Sequence, residues 1–293
     1  MRKEIVVGYE NRDLTAYYWD DVKEPKAVIQ IIHGMQEHAK RYDEFAKVLN
    51  KAGFIVFASD LRGHGETAGR VEDLGHTNGD IFKEIVSDQV IITEKLKKDY
   101  DLPVYIFGHS YGSFITQRYI QVCNLSQKAI ICGSAHTKNL LMGAGNVIAH
   151  LTGFFKGNHT TAKLIEKMSF GGYAKGFEDG NWLTTDTAVF EAYKADPYCG
   201  TPFPACFYKS MFKNLVRNYR DLKLITPEQK VLLIAGKLDP VGSNGKSVEK
   251  LYNTYKKHNV NVDMILYDDE RHEIINGLKK EQVWNDIIDF YNN

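Results

Sequence analysis

The stretch Pro103-Val104-Tyr105-Ile106-Phe107-Gly108-His109-Ser110-Tyr111-Gly112-Ser113 decides the fold. Its first half is a short apolar run of strand character. Downstream, Ile115, Tyr119 and Val122 recur on one face of a helix. Between the two lies Gly-x-Ser-x-Gly. A strand-to-helix turn this tight strains the backbone at the serine, and Gly108 and Gly112 remove side chains that would clash there. Together with His109 they form an elbow that leaves the Ser110 hydroxyl at a helix N-terminus, above the carboxyl edge of a sheet. The bland alternative is a Gly/Ser-rich helix cap without chemistry; the flanking strand and helix favour the elbow.

Outward from this turn, apolar runs of strand length alternate with segments of helical period. The predicted strands are Glu4–Tyr9, Leu14–Trp19, Ala27–Ile32, Phe54–Ser59, Val104–Gly108, Ala129–Gly133, Lys230–Ala235 and Val262–Tyr267. The middle ones are continuously apolar, which suits strands covered on both faces. The predicted helices are Tyr42–Lys51, Ile81–Lys98, Ser113–Val122, Gly245–Lys257 and Glu281–Tyr291. This is the alternation of a doubly wound α/β sheet. The first two strands share a short polar link, residues 10–13, and are expected to form a hairpin at the antiparallel end. The rhythm fails between about Thr137 and Thr226, a stretch read as an inserted cap. The organisation is therefore core over 1–136, cap over 137–226 and core again over 227–293. A length of 293 residues, at about 150 per domain, fits either two domains or one with an insertion.

A serine hydroxyl needs a base, and the base needs an orienting carboxylate. In an elbow of this kind the chain order is Ser, acid, His. Asp239 follows the strand at Lys230–Ala235, in a turn, and is the candidate acid. His272 follows the last strand and precedes the last helix, which singles it out among the ten histidines. Asp268 and Asp269 are rival acids, less suited because an orienter must reach the ring from behind. The oxyanion of a tetrahedral intermediate also needs donors. The Tyr111 N–H, next after the nucleophile, is one. The Met35 N–H is the other, in the loop His33-Gly34-Met35-Gln36-Glu37-His38, where Gly34 permits close approach.

Composition excludes several classes. Lys plus Arg and Asp plus Glu are both 37, so the formal charge is zero, and a nucleic-acid partner is not expected. Low hydrophobicity with high net charge, the mark of disorder, is absent. No apolar run reaches the roughly 20 residues of a membrane span, and the first residues do not read as a signal peptide. Cys123, Cys132, Cys199 and Cys206 show neither CxxC pairing nor zinc spacing; no metal is expected, Cys123 and Cys132 read as small core residues, and a reduced, cytoplasmic setting is the expectation. The cap carries 11 Lys/Arg against 7 Asp/Glu, a local basic surplus.

The motifs resemble a known family. His33-Gly34-Met35-Gln36-Glu37-His38-Ala39-Lys40-Arg41-Tyr42 is similar to the His-Gly-x-x-Glu-His-x-x-Arg-Tyr signature of monoacylglycerol lipases and bacterial lysophospholipase-like hydrolases. Asp60-Leu61-Arg62-Gly63-His64-Gly65, the elbow, Asp239-Pro240-Val241-Gly242 and Arg271-His272-Glu273 resemble its other motifs, and Asp196-Pro197 is similar to a recurring Asp-Pro. Many members have Met where Tyr111 stands, and Glu66-Thr67 replaces the usual x-Ser. The resemblance implies an α/β-hydrolase fold with a mostly parallel eight-stranded sheet, helices on both faces and a cap over the site. It implies ester hydrolysis without a cofactor, through an acyl-enzyme on Ser110 with Asp239 and His272, on monoacylglycerols, lysophospholipids or related small-molecule acyl esters. Two rival readings stay open. A serine aminopeptidase would use cap carboxylates such as Glu166, Glu178, Asp179 or Glu191 to hold an amine. A non-catalytic module would usually have lost a triad member. The apolar cap segment from Leu140 to Leu151, with Phe154 and Phe155, is either an acyl channel or a transient membrane or micelle contact, or else a helix packing on the sheet.

Overall fold

A computed structural model describes residues 1–137 and 140–293, with the side chains at 140 and 141 left out. The start of the apolar cap segment at Leu140-Leu141 therefore lies outside the described side chains. Along the chain, β1 (Arg2–Val7) and β2 (Asp13–Trp19) pair antiparallel as the hairpin expected from their short link. Then come β3 (Ala27–Ile32), α1 (Asp43–Lys51), β4 (Phe54–Ser59), α2 (Ile81–Tyr100), β5 (Val104–His109), α3 (Tyr111–Val122) and β6 (Lys128–Cys132). The eight-stranded sheet has the order β1-β2-β4-β3-β5-β6-β7-β8, with β7 (Lys230–Gly236) and β8 (Asn261–Tyr267) completing it. All pairings beyond β2 and β4 are parallel.

Strand ends were legible to within two residues because apolar runs stop where burial stops. The differences have local causes. Helix α2 runs two residues past Lys98 and ends on Asp101, whose left-handed φ of 52° supplies a stop that glycine usually provides. Helix α3 begins at Tyr111 and not at Ser113, because the turn is sharp enough for the helix to start directly after the serine.

Register decides what meets at the sheet's carboxyl edge. Ile32 pairs with Gly108, so the loop after β3 and the turn after β5 emerge side by side. Gly236 pairs with Tyr267, so the loops after β7 and β8 also emerge level. Two helical layers cover the sheet. Phe82, Ile85, Ile115, Tyr119, Leu251 and Tyr255 pack on one face; Phe45, Leu49, Trp284, Ile287 and Tyr291 pack on the other. Burying such side chains contributes about 1.5–3 kcal/mol each before entropy is counted. One buried polar chain crosses the first layer. Gln30 of β3 donates to Gln89 Oε1 at 2.9 Å and accepts from Thr93 Oγ1 at 2.7 Å, and Thr93 accepts from Tyr119 at 2.9 Å.

Between β6 and β7 the described residues form no strand of the sheet. They form α4 (Leu140–Lys156), α5 (Lys163–Met168), α6 (Phe170–Ala174), α7 (Thr187–Ala195) and α8 (Ala205–Leu215), with one isolated bridge from Thr161 to Pro204. Helices α4 and α8 approach closely at Gly145, where a Cβ would fall 2.7 Å from the Phe212 ring. The other face of α4 leaves Val147, Leu151, Phe154 and Phe155 exposed. Beyond β7, α9 (Lys246–Lys257) and α10 (Lys280–Asn292) complete the core. Among the described residues, no helix is long and apolar enough to cross a membrane.

Candidate active site

Ser110 stands between β5 and α3 with φ 52° and ψ −117°, a conformation in which non-glycine residues are strained by about 1–3 kcal/mol. Both neighbouring glycines are required. A Cβ on Gly112 would lie 2.0 Å from the Ile32 carbonyl oxygen, and one on Gly108 would lie 2.1 Å from Thr116 Oγ1. The Ser110 N–H is anchored to the Cys132 carbonyl at 2.9 Å. Because the helix starts at Tyr111, that residue's N–H is one of the first-turn donors without an intrahelical acceptor. The Tyr111 ring is buried against Phe82, Phe207 and His64, and burial pushes its phenol pKa well up.

Asp239 and His272 come from the two level loops and meet. His272 Nδ1 lies 2.9 Å from Asp239 Oδ2, and both residues are buried. The Asp239 carboxylate also accepts from the Val241 N–H at 2.8 Å, so it is an acceptor with a fixed orientation. His272 must then carry its proton on Nδ1, which leaves Nε2 with a lone pair and, among the described residues, no hydrogen-bond partner. Burial lowers the basicity of this imidazole, but the charge and hydrogen bond of Asp239 outweigh it, and the net pKa is raised above 6.5. Gly133 makes room for the ring: a Cβ there would lie 3.1 Å from His272 Cε1. The rival acids point away, Asp268 to Lys237 at 2.6 Å and Asp269 to Lys279 at 3.3 Å, both exposed.

The loop after β3 reaches the same point. A Cβ on Gly34 would lie 3.2 Å from Ser110 Cβ. The Leu61 N–H donates to His33 Nε2 at 2.9 Å, so His33 holds its proton on Nδ1 and donates to the Gly34 carbonyl at 2.8 Å. A trans peptide points its N–H opposite its carbonyl. Holding the Gly34 oxygen therefore orients the Met35 N–H from the core side of the loop. Neither the Met35 nor the Tyr111 N–H donates to a group among the described residues.

Motif residues with no role assigned from sequence form a buried charge cluster behind this loop. Arg41 donates to Glu37 at 2.7 Å and, through both terminal nitrogens, to Glu273 at 2.6 and 2.8 Å. Tyr42 donates to Glu37 at 3.0 Å and lies 3.1 Å from His109 Nδ1. Burial raises the Glu37 carboxyl, but Arg41 and His109 overcome it and hold the pKa well below the usual range. The i, i+4 spacing of Glu37 and Arg41 was readable; the partner Glu273, adjacent to His272, was not.

The inserted segment roofs the site with aromatic rings. Trp182 lies 5.2 Å from the His272 ring, and Phe170 and Tyr173 pack on Trp182 at 5.6 and 5.2 Å. Two outer cavities of about 560 and 330 Å³ include neither Ser110 nor His272 in their linings. His38, Asp196 and Cys199 bring ligand-type atoms within 4.8 Å of one another, a grouping that sequence spacing concealed. There His38 Nε2 is bonded to Asp196 at 2.8 Å, which joins the loop to the segment after α7, and burial raises the Cys199 thiol. Cys132 is buried and Cys123 half-buried, and all four cysteines are free.

A family described as serine aminopeptidase, S33 matches residues 23–279. Monoglyceride lipase of Mus musculus is 26% identical over 246 residues, spanning 80% of this chain and 72% of its own. A thermostable carboxyl esterase from Bacillus coagulans, solved with glycerol, superposes with a TM-score of 0.88 at 25% identity, covering 99% of this chain and 97% of that one. A soluble variant of monoglyceride lipase from Saccharomyces cerevisiae, solved with a substrate analog, shares the fold with a TM-score of 0.78 at 18% identity, over 99% and 94% of the two chains.

Proposed function

Because the chain belongs to the serine aminopeptidase, S33 family and is a serine ester hydrolase of the monoglyceride lipase type, we propose that Ser110, His272 and Asp239 are its catalytic triad and that monoacylglycerols, lysophospholipids or related acyl esters are its substrates. Ser110 Oγ attacks the ester carbonyl while His272 Nε2 takes its proton. Asp239 holds the imidazole and stabilises the imidazolium. The oxyanion is held by the Met35 and Tyr111 N–H groups, with Gly34, Gly108, His109 and Gly112 shaping the loop and the elbow. Collapse of the tetrahedral species expels the alcohol, protonated by His272, and leaves an acyl-enzyme that water hydrolyses by the same route.

The buried His272–Asp239 pair carries this reading: its free Nε2 is the lone pair that general-base chemistry at Ser110 requires. Residues 137–226 serve as a cap on the core formed by 1–136 and 227–293. The exposed Leu151, Phe154 and Phe155 on α4, the last two 82% and 74% exposed, support transient docking of that cap on a lipid surface.

The family's description makes aminopeptidase action the second reading. It requires a free carboxylate for the amine. Glu166 accepts from three donors, Asp179 pairs with Arg271 and Glu191 with Lys194, which leaves Glu178. A fluorophosphonate probe followed by an acyl-ester series and an amino-acid arylamide tests all three readings. Labelling lost in Ser110→Ala, with ester turnover exceeding arylamide turnover, is expected. Arylamide preference would promote the peptidase, and an unlabelled wild type would leave a binding module.

A further inference from the structure

Gln36 follows Met35 and carries a left-handed φ of 57°. That conformation is uncommon outside glycine, asparagine and aspartate and persists only when surroundings impose it. The surroundings here belong to the inserted helical segment. The Gly200 N–H and the Tyr193 hydroxyl donate to the Gln36 carbonyl at 3.0 and 3.1 Å. The Gln36 side chain, itself buried, donates to Glu166 Oε1 at 2.9 Å. Glu166 is fixed in turn, accepting from the Phe203 N–H at 2.9 Å and from the Tyr208 hydroxyl at 2.5 Å.

Met35 therefore sits between two pinned peptides. The core residue His33 holds the Gly34 carbonyl on one side, and the cap holds the Gln36 carbonyl on the other. We propose that the cap completes the oxyanion hole by holding this loop, with Gln36 as the positioning residue and Glu166, Tyr193 and Gly200 as its clamp. Release of the clamp lets Gln36 relax from its strained φ, and the Met35 N–H moves with it. A donor displaced by about 1 Å costs up to a hundredfold in rate. Turnover thus depends on a seated cap, even for an ester too small to touch it. The inference rests on the proposed Ser110 chemistry, in which the Met35 N–H is a donor.

The test replaces Gln36 with Glu, placing two carboxylates where an amide now meets one. Once both groups are ionised at pH 8 they repel and no proton is left to bridge them, so the clamp fails, and it is restored as acid supplies a shared proton. With a short soluble ester, Gln36→Glu is expected to lower kcat about tenfold or more at pH 8, with KM within about threefold. The deficit relative to wild type shrinks toward pH 6. Affinity for a trifluoromethyl ketone of the same acyl chain, which forms the tetrahedral adduct, falls by the same factor as kcat. Adding Glu166→Gln re-creates the amide–carboxylate pair in reverse and restores both quantities. A glutamine that merely welds cap to core would lower melting temperature without this split or this rescue. Unchanged kcat and ketone affinity in Gln36→Glu at pH 8, or no rescue in the double variant, overturns the inference. If Gln36→Glu does not fold, Tyr193→Phe removes one donor while keeping the ring; a kcat loss of about threefold or more at unchanged KM supports the clamp, and wild-type kcat overturns it. Failure of the underlying reading is distinguishable, because it would show as ester turnover that survives in Ser110→Ala.

Discussion

A carboxylate's value to a histidine lies in the tautomer it enforces. Asp239 accepts from His272 Nδ1 and from a backbone N–H, so the imidazole has one orientation and, among the described residues, one nitrogen without a partner. Asp239→Asn presents an amide that can donate to Nδ1 and stabilise the wrong tautomer. The expected loss is about 10⁴ in kcat, measured by steady-state ester hydrolysis. The pH profile follows from the same pair. Burial favours neutral His272 and Asp239 more than reverses that, raising the pKa above 6.5. A base must be unprotonated, so kcat/KM of the wild type falls as pH drops through a value above 6.5. In Asp239→Asn the residual activity loses its acid limb at a lower pH, because burial then acts without the compensating charge.

Elements place these residues, and the turns between elements carry the tightest constraints. The Gly112 Cα faces the Ile32 carbonyl across the β3–α3 contact. Gly112→Ala must push the elbow off β3, and we expect both fluorophosphonate labelling and melting temperature to fall, whereas Gly143→Ala, which meets nothing within 4 Å, should leave labelling intact. The charge cluster behind the loop after β3 joins that loop to the segment following β8. Arg41→Met would strand Glu37 and Glu273 in the interior, at a cost of about 3–5 kcal/mol in chemical denaturation at neutral pH. Glu37 has its pKa depressed in the folded state. Its contribution is therefore complete above its unfolded pKa, near 4.5, and is lost as pH falls through the lower folded value. The difference between wild type and Arg41→Met should narrow as acid titrates the stranded carboxylates.

At the scale of the molecule, the proposed cap and the sheet divide the work unevenly. The proposed nucleophile, base, acid and oxyanion donors all leave the carboxyl edge of one sheet. The aromatic roof and the carboxylate Glu166 come from the insertion. A cap that docks on lipid through α4 should do so through its exposed rings. Phe154→Ser/Phe155→Ser is expected to weaken partitioning to phospholipid vesicles at least tenfold, at about 0.8 kcal/mol per buried methylene, while hydrolysis of a short soluble ester stays at the wild-type rate. Equal partitioning of variant and wild type in a sedimentation assay would remove α4 as the contact.

The chain alone determined the strand–helix alternation, the elbow at Ser110 and the order in which candidate acid and histidine follow it. These are local properties: burial period, glycine sterics and the position of a polar residue just past a strand end are written in neighbouring letters. Even the hairpin of β1 and β2 was legible, because four polar residues cannot span a crossover. Only the tertiary structure shows that Asp239 bonds the His272 ring while Asp268 and Asp269 turn to lysines, since what separates them is burial and direction at a meeting of two loops. It alone joined Arg41 to Glu273, 232 positions apart, and Gln36 to Glu166, 130 apart. No periodicity records such pairs. They exist because parallel strands of matched register bring distant loops out at the same level, and an inserted segment then folds back over that edge.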